Sequence, residues 1–185
     1  MLPLNELVCS VVLKSASLVF PTKGWEGHNF INTDPYHKWF ATFVEVYKPI
    51  GILELGRRNG NSLYSLSYYL EDDNFLDSYD IKRGGEGVVS RPNVKAMVYD
   101  GDYGKIDFSK YEFIFVDING GGDTEFDIFQ KIKASGFCGI SAWDDVLSSW
   151  CPPERFWDKV DLEKYSDEFL HGISGFGIIR HGNRF

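Results

Sequence analysis

GILELGRRNGNSLYSLSYYL, residues 51–70, reads as a strand, a glycine turn and a helix in that order. A short apolar run, Ile52, Leu53 and Leu55, carries one acid, Glu54. The chain then turns through Gly56 and Gly60. Asn61 and Ser62 open a helix whose apolar positions fall at Leu63, Leu66 and Leu70. α/β proteins use this arrangement to bring backbone amides and a helix N-terminus against nucleotide-like ligands. The spacing is neither G-x-G-x-x-G nor G-x-x-x-x-G-K-[ST], which argues against dinucleotide and triphosphate sites.

Outward from this unit, Asp34 reads as an N-cap with Pro35 at the first helical position. The helix that follows sets Tyr36, Phe40, Phe43, Val44 and Tyr47 on one face and stops at Pro49. Residues before Asp34 read as irregular, with turn signals at Pro21 to Gly24 and at Gly27. Downstream, strands are expected over 75–81, 94–99, 112–118 and 137–143, with a flexible loop at Gly84 to Gly87. Phe126, Phe129 and Ile132 mark a helix closed by Gly136. Residues 150–165 read as loop plus helix, and 173–180 as a last strand. Alternation of this kind predicts an α/β fold with a mostly parallel central sheet and helices on both faces.

The 185 residues suit one domain. With 43% apolar and 16% aromatic residues the chain can pack a core. A net charge of −8 opposes nucleic-acid binding, which needs a basic stripe. Cys9, Cys138 and Cys151 share no C-x-x-C spacing, so buried or partly buried free thiols are expected rather than a zinc site or disulfides. The apolar patch from Val8 to Leu13 lacks the flanks of a signal peptide, and no stretch is long enough to span a membrane. A cytoplasmic protein without membrane association is expected.

Acids gather at the ends of consecutive predicted strands: Asp80, then Asp100 with Asp102, then Asp117, then Asp144 with Asp145. In a parallel sheet they would line the rim on which the Gly56 to Ser62 turn also lies.

Over about Tyr36 to Arg180, these segments together resemble the class I S-adenosylmethionine-dependent methyltransferases. ILELGRRNGNS is similar to their motif I in the form G-x-x-x-G-N-S. LDSYD resembles the second strand with its ribose-binding acid, and VYDGDYG the segment that contacts adenine. FIFVDINGGG resembles the fourth-strand segment, often F-I-D-G-D-H-x-Y, and ISAWDDVL the fifth, often V-x-D-D. GFGIIR looks like the last strand of a small-molecule subgroup that includes macrolide-sugar O-methyltransferases.

The resemblance implies a Rossmann-like fold in a single domain over 1–185, with an N-terminal cover and first helix over 1–48 and a core over 49–185. It implies S-adenosyl-L-methionine held by Glu54, Gly56, Asn59, Gly60, Asn61, Ser62, Asp80, Asp100, Asp102 and Asp117. It implies O-methylation of a small-molecule hydroxyl, with a sugar or glycoside as first guess. Asp117 and Asp144 would be catalytic, and Asp117, Asp144 and Asp145 resemble a magnesium-holding set; all-oxygen ligands suit Mg2+. The bland alternative is that Asp117 orients the ligands while Asp145 caps a following helix.

The chain departs from the pattern at Asp117-Ile118-Asn119-Gly120, which lacks the second acid and the histidine of D-G-D-H. The Gly120 to Gly122 run leaves that loop free to close over an acceptor. Arg57 and Arg58 either pair with the cofactor carboxylate or stay solvated. His28, His37, His171 and His181 each read first as ordinary surface histidines; of the four, His28, near Trp25 and beside Asn29, is the best candidate to meet an acceptor. Trp143 and Trp150 read as core or as a sugar-stacking wall. A non-catalytic Rossmann-like binding module is the main alternative. A nicotinamide oxidoreductase lacks its glycines, and a nucleic-acid methyltransferase lacks both the charge and an N-P-P-[YF] motif.

Overall fold

The structure, a computed structural model, describes residues 2–18, 35–82, 89–98, 102–168 and 170–185. Strands β1 (Gly51–Leu55), β4 (Phe113–Val116) and β5 (Gly139–Trp143) are buried along their whole length. Near-continuous apolar strands of this type occupy the middle of parallel sheets, covered on both faces. β1 pairs in parallel with β4 and with β2 (Phe75–Asp80). β2 pairs in parallel with β3 (Val94–Val98), and β4 with β5. Two antiparallel strands complete the sheet: β7 (Phe176–His181) pairs with β5, and β6 (Lys164–Asp167) pairs with β7. The order is β3-β2-β1-β4-β5-β7-β6. Its direction reverses between β1 and β4, and open α/β sheets bind ligands in the crevice at such a point.

Strand alternation divides the core in two. Phe113 and Phe115 face one layer, with Ile52, Leu76 and Ile178; there α1 (Leu4–Ser15), α2 (Pro35–Tyr47) and α3 (Asn61–Ser67) pack. Ile114 and Val116 face the other, with Leu53, Leu55 and Ile179, against α4 (Asp123–Ala134). Aromatic rings fill the first layer. Phe40 meets Phe115 edge-on at 4.6 Å between centroids, and Tyr36 stacks on Phe176 at 5.4 Å.

Three local expectations change. Residues 4–15 form a helix, not irregular chain: Leu4, Leu7, Val8 and Val11 recur at helical spacing and are buried. Its start is tied to the far end of the sequence, because the Leu4 amide donates to Glu163 Oε1 at 2.8 Å and Arg180 donates to the Leu2 carbonyl at 2.8 Å. Residues 150–165 hold no α-helix. They form two single 3-10 turns, Pro153–Arg155 and Trp157–Lys159, and then enter β6. β6 is a half-exposed edge strand, so it carries no apolar run for a sequence reading to detect. The helix after the glycine turn ends at Ser67 rather than reaching Leu70, as Tyr68 and Leu70 donate to carbonyls three residues back. Asp34, the turn signals at Pro21 to Gly24 and at Gly27, and the Gly84 to Gly87 loop lie outside the described residues. Among the described residues, no helix is long and apolar enough to cross a membrane.

Candidate functional site

A cavity of about 490 Å3 opens at the carboxyl ends of β1, β2 and β4. It is lined by Leu55, Gly56, Arg58 and Asn59 from the glycine turn, by Tyr79 to Lys82, by Tyr103, by Asp117 to Gly120 and by Thr124. Gly56 makes the closure of its floor possible. Its φ is +93°, and a Cβ there would stand 1.7 Å from the Asp117 carbonyl oxygen. No other residue allows the turn to pass this close to β4. Gly60, also left-handed at φ 84°, leads into α3. Asp80 bends over the turn: one carboxylate oxygen accepts from the Arg58 amide at 2.6 Å, the other from the Lys82 amide at 2.8 Å. A carboxylate has about four acceptor positions, so two remain for a ligand.

Beneath the turn lies a polar knot. Glu54 is fully buried and accepts from the hydroxyls of Ser62 and Ser78. Burial pushes its carboxyl up to about 7, against the pull of both serines and Arg57. Arg57 is buried as well, and donates to the carbonyls of Ser78 at 3.0 Å and Met97 at 3.2 Å. It clamps β2 to β3 and is not solvated; Arg58 is the exposed one and lines the cavity. Neither Glu54 nor Ser62 is among the residues that line the cavity; they hold the shape of the turn. Asn61 is exposed at the start of α3 and does not line it either. Asp102 is exposed and accepts from the Gly104 amide at 3.0 Å, capping its own turn. Asp100 lies outside the described residues, as do His28 and Trp25.

Beyond the cavity the rim continues into a cluster of acids. The Asp144 amide donates to the Val116 carbonyl at 3.0 Å, which ties the end of β5 to β4. Asp145 adopts the left-handed region at φ 58°. His171 Nδ1 is in direct contact with the Asp144 carboxylate and lies 3.9 Å from Asp145 Oδ1. One donor atom from each of Asp144, Asp145 and His171 lies within 4.8 Å of the others. Asp117 is outside that trio and faces the cavity. Its carboxyl is nonetheless pushed up to about 7, first by burial and then by Asp144, Asp145 and Glu54. Burial and Asp144 also raise Asp145. Negative charge is crowded here, and His171 is the basic group set against it.

Other expected features resolve differently. The triple-glycine loop is pinned, because Glu125 accepts from the amides of Gly120 at 2.8 Å and Gly122 at 2.7 Å. Trp143 is core, and its Nε1 donates to Ser141 Oγ at 2.8 Å, while Trp150 is exposed. His37 and His181 are buried rather than on the surface. Burial lowers His181 to about 4. Cys9 and Cys138 are exposed and only Cys151 is buried. Burial pushes the Cys151 thiol up to about 12, which disqualifies it as a nucleophile.

No protein-family profile matches the sequence, and no curated protein matches it. The likeness to known proteins is one of structure. The O-methyltransferase TomG from Streptomyces achromogenes, involved in tomaymycin synthesis and solved with SAM, superposes with a TM-score of 0.65 at 16% identity, covering 99% of this chain and 100% of that one. An O-methyltransferase from Bacillus cereus, solved with SAH, gives 0.62 at 16% identity over 98% of this chain and 93% of that one. The SAH-bound methyltransferase PaMTH1 of Podospora anserina gives 0.57 at 15% identity, over 95% and 88%. The chain has the class I methyltransferase fold.

Within the class I methyltransferase fold, the expected residues Gly56, Asn59, Asp80 and Asp117 meet at one cavity. Tyr79 and Tyr103 line it as well and were missed, although each is the sequence neighbour of an acid already singled out. His171 was missed as a site residue for a different reason. Nothing near it in sequence marks it, and only the antiparallel return of β7 beside β5 sets it against Asp144.

Proposed function

We propose that this chain is an S-adenosylmethionine-dependent O-methyltransferase acting on a hydroxyl of a small molecule, with a sugar or glycoside as the first acceptor to test. The observation that carries the proposal is the cavity at the carboxyl ends of β1, β2 and β4, with Asp80 bent over one side and Asp117 at the other. The SAM and SAH in the TomG and Bacillus cereus structures support it, since these share the fold.

Several groups fit the cofactor. The free acceptor positions of Asp80 suit two ribose hydroxyls, as charge-assisted hydrogen bonds. Gly56, Asn59 and Gly60 let the backbone approach the methionine end, with Asn61 beside them. Glu54 and Ser62 hold that turn from below. Asp100, Asp102 and Tyr103 take the adenine side. When bound, S-adenosylmethionine supplies an electrophilic methyl group on a sulfonium. The acceptor hydroxyl oxygen must be held in line with that methyl, and positioning supplies a large share of the rate. Asp117 and Asp144 hold the acceptor, and a carboxylate oxygen of Asp117 takes the hydroxyl proton. Glu125 holds the Gly120 to Gly122 loop in place beside this point.

The carboxylates of Asp144 and Asp145, brought together with His171, fit a divalent cation. Asp144 and Asp145 would hold it, with Asp117 beside them, and it would supply positive charge at the acceptor oxygen. Carboxylate oxygens taken alone would suit magnesium. The chain acts as a single domain, in which α1 and α2 of the 1–48 segment pack on one face of the sheet built by 49–185. Three free cysteines suit a reducing compartment such as the cytoplasm.

Asn119, in the cavity wall where relatives carry an acid, favours one competing reading: a binding module that retains the cofactor without turnover. Titration calorimetry with S-adenosylmethionine and S-adenosylhomocysteine, each with and without Mg2+, tests the class, and a hydroxyl-acceptor screen then tests turnover. Micromolar binding with product formation is expected. Binding without turnover on any acceptor favours the module, and no binding of either ligand rejects the methyltransferase reading and leaves a degenerate binding module.

A further inference from the structure

We propose that His171 is a metal ligand, and that its nitrogen turns the Asp144 and Asp145 rim into a mixed nitrogen and oxygen site that favours a first-row transition ion over magnesium. The proposal deepens the methyltransferase reading, and rests on it only for the use to which the ion is put.

The argument begins with the donor set. Magnesium is a hard ion that keeps oxygen ligands and several waters, and it gains little from an imidazole. Imidazole nitrogen suits iron, nickel, copper and zinc, and affinity for divalent ions rises from manganese through iron, cobalt and nickel to copper before falling at zinc. Here Nδ1 of His171 touches the Asp144 carboxylate and stands 3.9 Å from that of Asp145. The three donors already fall within 4.8 Å of one another. Ligands about 2.0–2.2 Å from a common ion lie roughly 3–4 Å apart, so closing the set takes a shift of about 1 Å.

The histidine is also held in place without a metal. The Leu147 amide donates to the Ser174 carbonyl at 2.8 Å, joining the loop after β5 to the turn that carries His171. Ser174 bonds the Asp145 carboxylate from the same turn. The Tyr36 ring packs edge-on against the imidazole at 5.1 Å between centroids. Asp145 accepts a left-handed backbone, φ 58°, where glycine or asparagine would relax more easily. A simple surface ion pair would leave Asp144 solvated, yet its side chain is only 7% exposed. Two carboxylates and one imidazole thus converge on a single point of the rim, where a divalent ion would offset the paired carboxylate charge.

The test uses the chelator-stripped full chain, with Co2+ and Mg2+ titrated calorimetrically into wild type and into His171→Asn. In wild type Co2+ should bind at least a hundredfold more tightly than Mg2+. In His171→Asn the Co2+ affinity should fall tenfold or more while Mg2+ affinity changes less than threefold. Unchanged Co2+ affinity in the variant, or no Co2+ binding by wild type, overturns the proposal. Proton NMR of Co2+-loaded wild type is a second readout that needs no variant: one far-shifted exchangeable imidazole N–H resonance is expected, and its absence also overturns it. S-adenosylhomocysteine affinity is measured on the same samples. If that ligand fails to bind while Co2+ still depends on His171, the metal site stands and the methyltransferase reading falls.

Discussion

A carboxyl held at about 7, as Asp117 is, makes the folded chain bind a proton that the unfolded chain has already released. The folded value lies above the ordinary 3.8, so the favourable contribution is complete below about pH 4 and is lost as pH rises towards 7. Asp117→Asn should therefore match wild type in urea denaturation at pH 4 and exceed it by on the order of 2 kcal/mol at pH 8. Comparing variant with wild type cancels the opposite trend of buried His181, which titrates near 4 in the folded state. Equal stability of the two proteins at pH 8 would refute the crowded-acid account. The same variant should lose turnover if Asp117 takes the acceptor proton. Asp80→Ala removes the acceptor of two amides and of the proposed ribose contacts. It should weaken S-adenosylhomocysteine binding by about 1–3 kcal/mol, read by calorimetry, and unchanged affinity would take Asp80 out of that role. Asp144→Ala should abolish turnover while sparing cofactor affinity; an active variant would remove Asp144 from the acceptor site.

At the scale of elements, two loops set the site and each depends on one interaction. The turn after β1 passes β4 so closely that Gly56→Ala would drive a methyl group into the Asp117 carbonyl, at a backbone conformation alanine resists. A loss of about 4 kcal/mol or more is expected, seen as a collapsed thermal transition or insoluble protein. A wild-type melting curve for this variant would mean that the turn does not lie where it is described. The loop between β4 and α4 depends on Glu125, whose carboxylate satisfies two amides at the start of its own helix. Glu125→Ala should cost about 1–3 kcal/mol and speed hydrogen exchange at Gly120 and Gly122, with little change at β1.

For the whole molecule, a ligand that binds only the folded chain adds stability by mass action. S-adenosylhomocysteine at a hundred times its dissociation constant should add about 2.7 kcal/mol, or roughly 5–10 °C in Tm for a chain of this size. At this scale the mostly parallel sheet and the helices on both of its faces follow from patterns readable in the chain. The apolar runs of β1, β4 and β5 and the glycine punctuation between them mark central parallel strands with helical crossovers. That Gly56, Asn59, Asp80 and Asp117 would meet on one rim was legible because the glycine turn follows β1 and the two acids close β2 and β4, and strand ends share a rim in such a sheet. Helix α1 was overlooked although its spacing was visible, and β6 because an edge strand needs no apolar signature. Local spacing encodes the short-range features, namely strand, turn and helix identity and the strand ends at which the acids fall, so these are readable from the chain alone. Only the tertiary structure decided that Glu54 and Ser62 turn inward, that Arg57 is a buried clamp, and that His171 stands against Asp144. Those outcomes depend on burial and on the return of β7 between β5 and β6, contacts between residues far apart in the chain that no local pattern carries.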